Sequence, residues 1–156
     1  MALLSRYSFQ MRTAVKNKLS EIIIAEDDDQ DFFLLTKAFT DVGVKNKITR
    51  CKNGEELVSH LKSMTSHDNV LVILDINMPK VNGFEALEKI NAESMMHVPI
   101  IVLTSSSAES HMIRSYEYGA NSYIVKPVSF ADFKRTANKI NDYWSDLVEI
   151  PAVKPN

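Results

Sequence analysis

Short apolar runs of strand length alternate along this chain with segments of helical periodicity, and that alternation leaves few folds open. Ile22–Ala25, Val70–Leu74 and Pro99–Leu103 are almost unbroken apolar stretches, while Lys47–Cys51 and Ser122–Val125 are strand-like but more polar. Between them, Phe32, Leu35, Phe39 and Val42 fall at helical spacing and predict a helix over Asp31–Val42, closed by Gly43. Asn53 followed by Glu56 reads as the start of a second helix, carrying Leu57 and Leu61. Further helices are expected over Gly83–Ala92 and Ala108–Tyr118. Ser129 then caps a long last one with the apolar stripe Phe130, Phe133, Ala137, Ile140, Trp144 and Leu147. Five strands alternating with five helices predict an α/β, doubly wound, five-stranded parallel sheet covered on both faces. Right-handed crossovers, with the polar Lys47–Cys51 strand at an edge, favour the strand order 2-1-3-4-5 of a flavodoxin-like fold.

With 156 residues the chain fits one domain with a real core. Residues 20–149 are expected to form it, between an N-terminal extension over 1–19 and a tail over 150–156 marked by Pro151 and Pro155. The extension holds Arg6, Arg12, Lys16 and Lys18 and no acid, so it reads as a flexible basic arm rather than a targeting peptide. A net charge of −2 gives no electrostatic footprint for nucleic acid. No apolar run reaches the roughly 20 residues of a membrane span. A single cysteine, Cys51, excludes an intrachain disulfide and suits a reducing cytoplasm.

In such a sheet, ligands bind beyond the carboxyl ends of the strands, where the strand order reverses. In this chain those ends gather the polar groups that can do chemistry. "EDDDQD" (Glu26 to Asp31) follows the first strand, Asp75 of "VLVILDINMPKVNG" the third, Thr104 and three serines the fourth, and Lys126-Pro127 the fifth. Several carboxylates in one crevice repel each other and call for a cation. All-oxygen ligation with open water positions suits Mg²⁺ shared with phosphate. A carboxylate beside that metal can act as a nucleophile towards phosphorus, with a lysine and a threonine hydroxyl stabilising the transferring group.

Glu26-Asp27, Asp75 in "LDINMPKVNG", Thr104 after "PIIVL" and Lys126-Pro127 after "YIV", in that order on those strand ends, resemble the response-regulator receiver domain of two-component signalling. The resemblance covers roughly residues 20–145. It implies that Asp75 accepts a phosphoryl group from a kinase histidine. Glu26, Asp27, Asp75 and the backbone carbonyl of Asn77 would hold Mg²⁺. Thr104 would bind the phosphoryl group, Lys126 would pair with it, and Tyr123 would follow the threonine as a switch. Asp28 and Ser105 are second-rank members of the site, and the Lys126–Pro127 peptide is expected to be cis. The chain's ending, "YWSDLVEIP", resembles single-domain regulators that pair with phytochrome-type kinases.

The implied partners are a sensor histidine kinase of phytochrome or hybrid type, or a phosphotransfer protein, and a downstream protein target. A homodimer through the fourth helix, fifth strand and fifth helix is a further expectation, as is a protein that assists its own phosphotransfer and dephosphorylation without being an enzyme in the ordinary sense. The alternatives are an aspartate-nucleophile phosphatase of haloacid-dehalogenase type, a nucleotide-binding flavodoxin-like protein and a receiver-shaped adaptor that takes no phosphate. The phosphatase wants a second aspartate two residues after the nucleophile, where this chain has Asn77. The flavodoxin-like protein wants a phosphate loop, where "EDDDQD" repels anions. The simpler reading of Asp28, Asp29 and Asp31 is a helix start that complements the dipole. His60, His67, His97 and His111 show no metal spacing and read as surface residues.

Overall fold

The structure, a computed structural model, describes residues 19–95 and 97–147. The expected basic arm, apart from Leu19, and the expected tail lie outside the described residues. The elements run in chain order as β1 (Glu21–Ala25), α1 (Asp29–Asp41), β2 (Lys47–Cys51), α2 (Gly54–Ser63), β3 (Val70–Leu74), α3 (Gly83–Ala92), β4 (Ile100–Thr104), α4 (Glu109–Glu117), β5 (Ser122–Val125) and α5 (Phe130–Asn141). All five strands are parallel, in the order β2-β1-β3-β4-β5. Ala25 pairs with Leu74 and with Cys51, which brings the ends of the three strands level.

Each strand sends alternate side chains to opposite faces, and each face is closed by a helix pair. Ile23, Ala25, Val72 and Leu74 pack under α2 and α3 with Leu57, Leu61, Leu87 and Ile90. Ile22, Ile24, Leu71 and Ile73 pack under α1 and α5 with Leu35, Phe39, Phe133, Ile140 and Trp144. Full burial stabilises each such aliphatic side chain by about 1.5–3 kcal/mol, so these two layers hold the domain. Helix α4 differs. Its one buried residue is Ser115, so little apolar burial holds it down.

The helix starts follow local chemistry. Asp28 caps α1 by accepting from the Asp31 amide at 2.8 Å, which begins the helix at Asp29 rather than the expected Asp31. Asn53 accepts from Glu56 N, Asn82 from Glu85 N and Ser129 from Asp132 N in the same way. Pro99 has no N–H to give the ladder, so β4 starts one residue later, while the Pro99 carbonyl accepts from Val72 N at 3.0 Å. The long last helix is α-helical only to Asn141 and continues as a π-helix over Asp142–Leu147 that buries Trp144.

Candidate functional site

The carboxyl ends of β1 and β3 deliver two buried acids side by side. Asp75 follows β3, with its amide donating to the Ala25 carbonyl at 3.0 Å. Glu26 follows β1, with its amide on the Cys51 carbonyl at 2.9 Å. Both are about 4 % exposed, whereas Asp27, the next residue, is exposed. One carboxylate oxygen from each of Glu26, Asp27 and Asp75 can lie within 4.8 Å of the others.

Lys126 leaves the end of β5 with its amide on the Thr104 carbonyl at 2.7 Å. Its ammonium reaches Glu26 Oε2 at 2.9 Å, Asp75 Oδ2 at 3.0 Å and Asp31 Oδ2 at 2.8 Å. One cation thus faces three acids. Burial, and then the adjacent Asp75 charge, push the Glu26 carboxyl up to about 8 against the opposing pull of Lys126. Burial by itself would lower the Lys126 ammonium, but its hydrogen bonds to Asp31 and Glu26 and the Asp75 charge overcome this and raise it. The ammonium therefore stays charged, and burial beside Asp75 disposes the Glu26 carboxyl to hold a proton. A divalent cation can displace that proton. The donors are all oxygen, and the exposed Asp27 side leaves positions for water or phosphate, which is the donor set of a hard divalent cation.

The turn after Asp75 is fixed by close packing. Asp75 Oδ1 accepts from Asn77 N at 3.0 Å. Gly83 N donates to the Ile76 carbonyl at 3.1 Å, and a Cβ on Gly83 would meet Ile76 Cα at 2.5 Å, a distance real side chains do not tolerate. A Cβ on Gly54 would meet the Val81 carbonyl oxygen at 2.3 Å. The two glycines let this loop lie against the start of α2 and against its own backbone.

Thr104 is fully buried, and its hydroxyl is held loosely: Asn77 Nδ2 and Ser106 N each approach at 3.4 Å. Tyr123 donates its hydroxyl to the Ser106 carbonyl at 2.7 Å. Ser106 Oγ lies 2.6 Å from His111 Nδ1 on α4. Ser106, rather than the exposed Ser105, therefore joins the threonine to the tyrosine and to α4. Asp28 serves as the α1 cap. The Lys126–Pro127 peptide is trans, contrary to expectation, since no cis peptide occurs among the described residues. Trans is the intrinsically preferred X–Pro isomer, and the long lysine stem reaches all three acids from it.

Two members of this rim were not foreseen. Asp31 supplies the shortest contact to Lys126 although it sits in the first turn of α1 rather than at a strand end. Arg50, near the end of β2, donates to the carbonyls of Glu26 and Asp27 at 3.1 Å each and pairs with Asp29 Oδ1 at 2.7 Å. Its hydrogen bond and charge lower the Asp29 carboxyl. The available signal was its place at the carboxyl end of β2, the strand paired with β1.

A family model for the response regulator receiver domain matches residues 22–138. The chain belongs to the receiver-domain family. A relative named as a probable methanogenesis regulatory protein, FilR2 of Methanothrix harundinacea, is 34% identical over 127 residues, covering 79% of this chain and 82% of the relative. The response regulator Rcp1 of Synechocystis is 27% identical over 136 residues, covering 84% of this chain and 92% of its own; its Mn²⁺-bound crystal structure superposes with a TM-score of 0.73. The phosphorylated cyanobacterial phytochrome response regulator RcpA superposes with a TM-score of 0.77 at 25% identity, over 85% of this chain and 99% of that one. This receiver domain is accordingly a phosphoacceptor signalling module, with an acidic cluster of the kind that binds a divalent metal in its family.

Proposed function

We propose that Asp75 is the phosphoacceptor and that Mg²⁺ held by Glu26, Asp27, Asp75 and the Asn77 carbonyl is its cofactor. The observation that carries this reading is the place of Asp75: buried at the point where the strand order reverses, beside Glu26 and Asp27, with the Lys126 ammonium 3.0 Å away and shared with Glu26. An Asp75 carboxylate oxygen attacks the phosphorus of a phosphohistidine, the P–N bond breaks as the P–O bond forms, and the imidazole leaves with a proton. Bound Mg²⁺ supplies positive charge that offsets the transferring phosphoryl oxygens. Lys126 balances charge on the same group, and the loosely held Thr104 hydroxyl turns to donate to it. The same groups assist hydrolysis of the acyl phosphate by water. Asn77 stands where a phosphatase of the haloacid-dehalogenase type needs a general acid, and an amide cannot serve as one.

The donor is a sensor histidine kinase, of phytochrome or hybrid type, or a phosphotransfer protein. The output surface is the face of α4, β5 and α5, which binds a downstream protein or a second copy of the chain. Support comes from the exposed large apolar side chains among the described residues: of seven, Met112, Ile113 and Tyr116 lie on α4, Val125 on β5 and Tyr143 just beyond α5. Movement of Thr104 is passed to Tyr123 and α4 through Ser106. Incubation with acetyl phosphate and Mg²⁺ should add one phosphoryl mass that is lost with hydroxylamine and absent in Asp75→Asn. Persistence of the gain in that variant would overturn the assignment, and no gain in either protein would leave a receiver-shaped adaptor.

A further inference from the structure

The sheet has a second rim, where the chain enters β3 and β4, and two histidines 30 residues apart in sequence meet there. His67 stands in the connection that leads into β3 and His97 in the one that leads into β4. His67 Nδ1 lies 3.0 Å from His97 Nε2, with ring centroids 5.1 Å apart and planes tilted by 31°. The outer nitrogen, His67 Nε2, lies 2.7 Å from the Leu61 carbonyl. A carbonyl only accepts, so Nε2 carries the proton, and Nδ1 of neutral His67 presents a lone pair to its neighbour. An imidazole pinned through its remote N–H to a backbone carbonyl is the arrangement that orients metal-ligating histidines.

We propose that His67 Nδ1 and His97 Nε2 form a two-histidine site for a divalent transition metal ion of the Zn²⁺, Ni²⁺ or Cu²⁺ class. At metal–nitrogen bonds of about 2.0–2.1 Å, two nitrogens 3.0 Å apart subtend roughly 90–97° at the metal. That angle suits adjacent positions of a tetragonal site directly. A tetrahedral ion needs the nitrogens at about 3.3 Å, which a small swing of the exposed His97 supplies. Half-buried His67 is the fixed ligand, exposed His97 the adjustable one, and water completes the shell. Imidazole donors select such ions over Mg²⁺, whereas the Glu26, Asp27 and Asp75 cluster offers only oxygen and selects the reverse. The two sites lie at opposite ends of β3 and β4, about 16 Å of strand apart, so each can be loaded separately.

The test is a Zn²⁺ titration of the full chain, kept saturated with Mg²⁺, followed by calorimetry and by long-range ¹H–¹⁵N spectra of the four imidazoles. The expected result is one Zn²⁺ per chain, with shifts at Nδ1 of His67 and Nε2 of His97 and none at His60 or His111. His67→Gln and His97→Gln should each weaken binding at least tenfold, and Asp75→Asn should leave it unchanged. No Zn²⁺ uptake by the folded, Mg²⁺-loaded protein would reduce the pair to a hydrogen bond and overturn the site. So would uptake that survives both glutamine variants or disappears in Asp75→Asn.

Discussion

Strand β1 carries a buried glutamate at each end, and the two have opposite surroundings. Glu21, at the start, is about 7 % exposed and meets the Thr49 hydroxyl, His60 Nε2 at 3.3 Å and Lys47 Nζ at 3.8 Å. Glu26, just past the end, is about as buried but faces Asp75 and Asp27, with one shared ammonium to relieve them. The same residue type at similar depth is thus stabilising at one end and strained at the other. A buried acid among donors is finished architecture, whereas a buried acid among acids is a site waiting for a cation.

The sharpest break between the two ends is chemical. Asp75→Asn should remove phosphorylation entirely, read by intact mass, while Glu21→Gln leaves its extent unchanged. Next comes stability without metal, where one substitution should have opposite signs. A carboxyl raised from 4.5 to about 8 binds a proton in the native state that the unfolded chain has released. Metal-free stability therefore falls as pH rises from about 4.5 to about 8, because the native state holds more protons than the unfolded one across that window. Glu26→Gln removes this loss and should stabilise the metal-free protein at pH 8 by a few kcal/mol, at roughly 1.36 kcal/mol per pKa unit, with the gain vanishing towards pH 5. Glu21→Gln should instead cost about 0.5–1.5 kcal/mol through its weakened hydrogen bonds. Urea melts with EDTA at both pH values decide it, and equal signs would break the comparison.

A third contrast lies in the loops. Gly83→Ala, with its Cβ driven onto Ile76, should destabilise by about 1–3 kcal/mol. Ser94→Gly, at a left-handed position (φ 58°) in the connection that enters β4, should be neutral or stabilise by up to about 1 kcal/mol. Thermal melts of both variants measure the pair. The last contrast is Arg50→Gln. It frees the Glu26 and Asp27 carbonyls and should weaken Mg²⁺ binding severalfold, with stability lowered by about 0.5–1.5 kcal/mol as those hydrogen bonds are lost. Mg²⁺ titration of the variant checks it.

The sequence showed the strand order and most of the rim because both depend on local signals: where apolar runs end, and which polar residue ends them. Asp75 and Lys126 each sit at a strand end, so the topology alone brought them together. What escaped notice depends on reach across separate loops. Asp31 reads as a helix-start acid, and only the path of Lys126 across the crevice turns it into a partner. His67 and His97 lack any metal spacing because their proximity comes from β3 and β4 being neighbours, not from the intervening residues. Ser106 escaped notice for a similar reason, since its place depends on the Tyr123 hydroxyl reaching its carbonyl from β5.

That single contact also sets how quiet the unphosphorylated protein can be. If Tyr123 reports on Thr104, the resting arrangement is held largely by one neutral hydrogen bond, from the tyrosine hydroxyl to the Ser106 carbonyl. Such a bond contributes about 0.5–1.5 kcal/mol, a ratio of only some two- to thirteenfold between the two tyrosine positions. Helix α4, with Ser115 its one buried residue, adds little to that ratio. A switch biased so lightly would respond to a single phosphoryl group at the cost of background, since a standing fraction of molecules would occupy the signalling arrangement before any phosphate arrived.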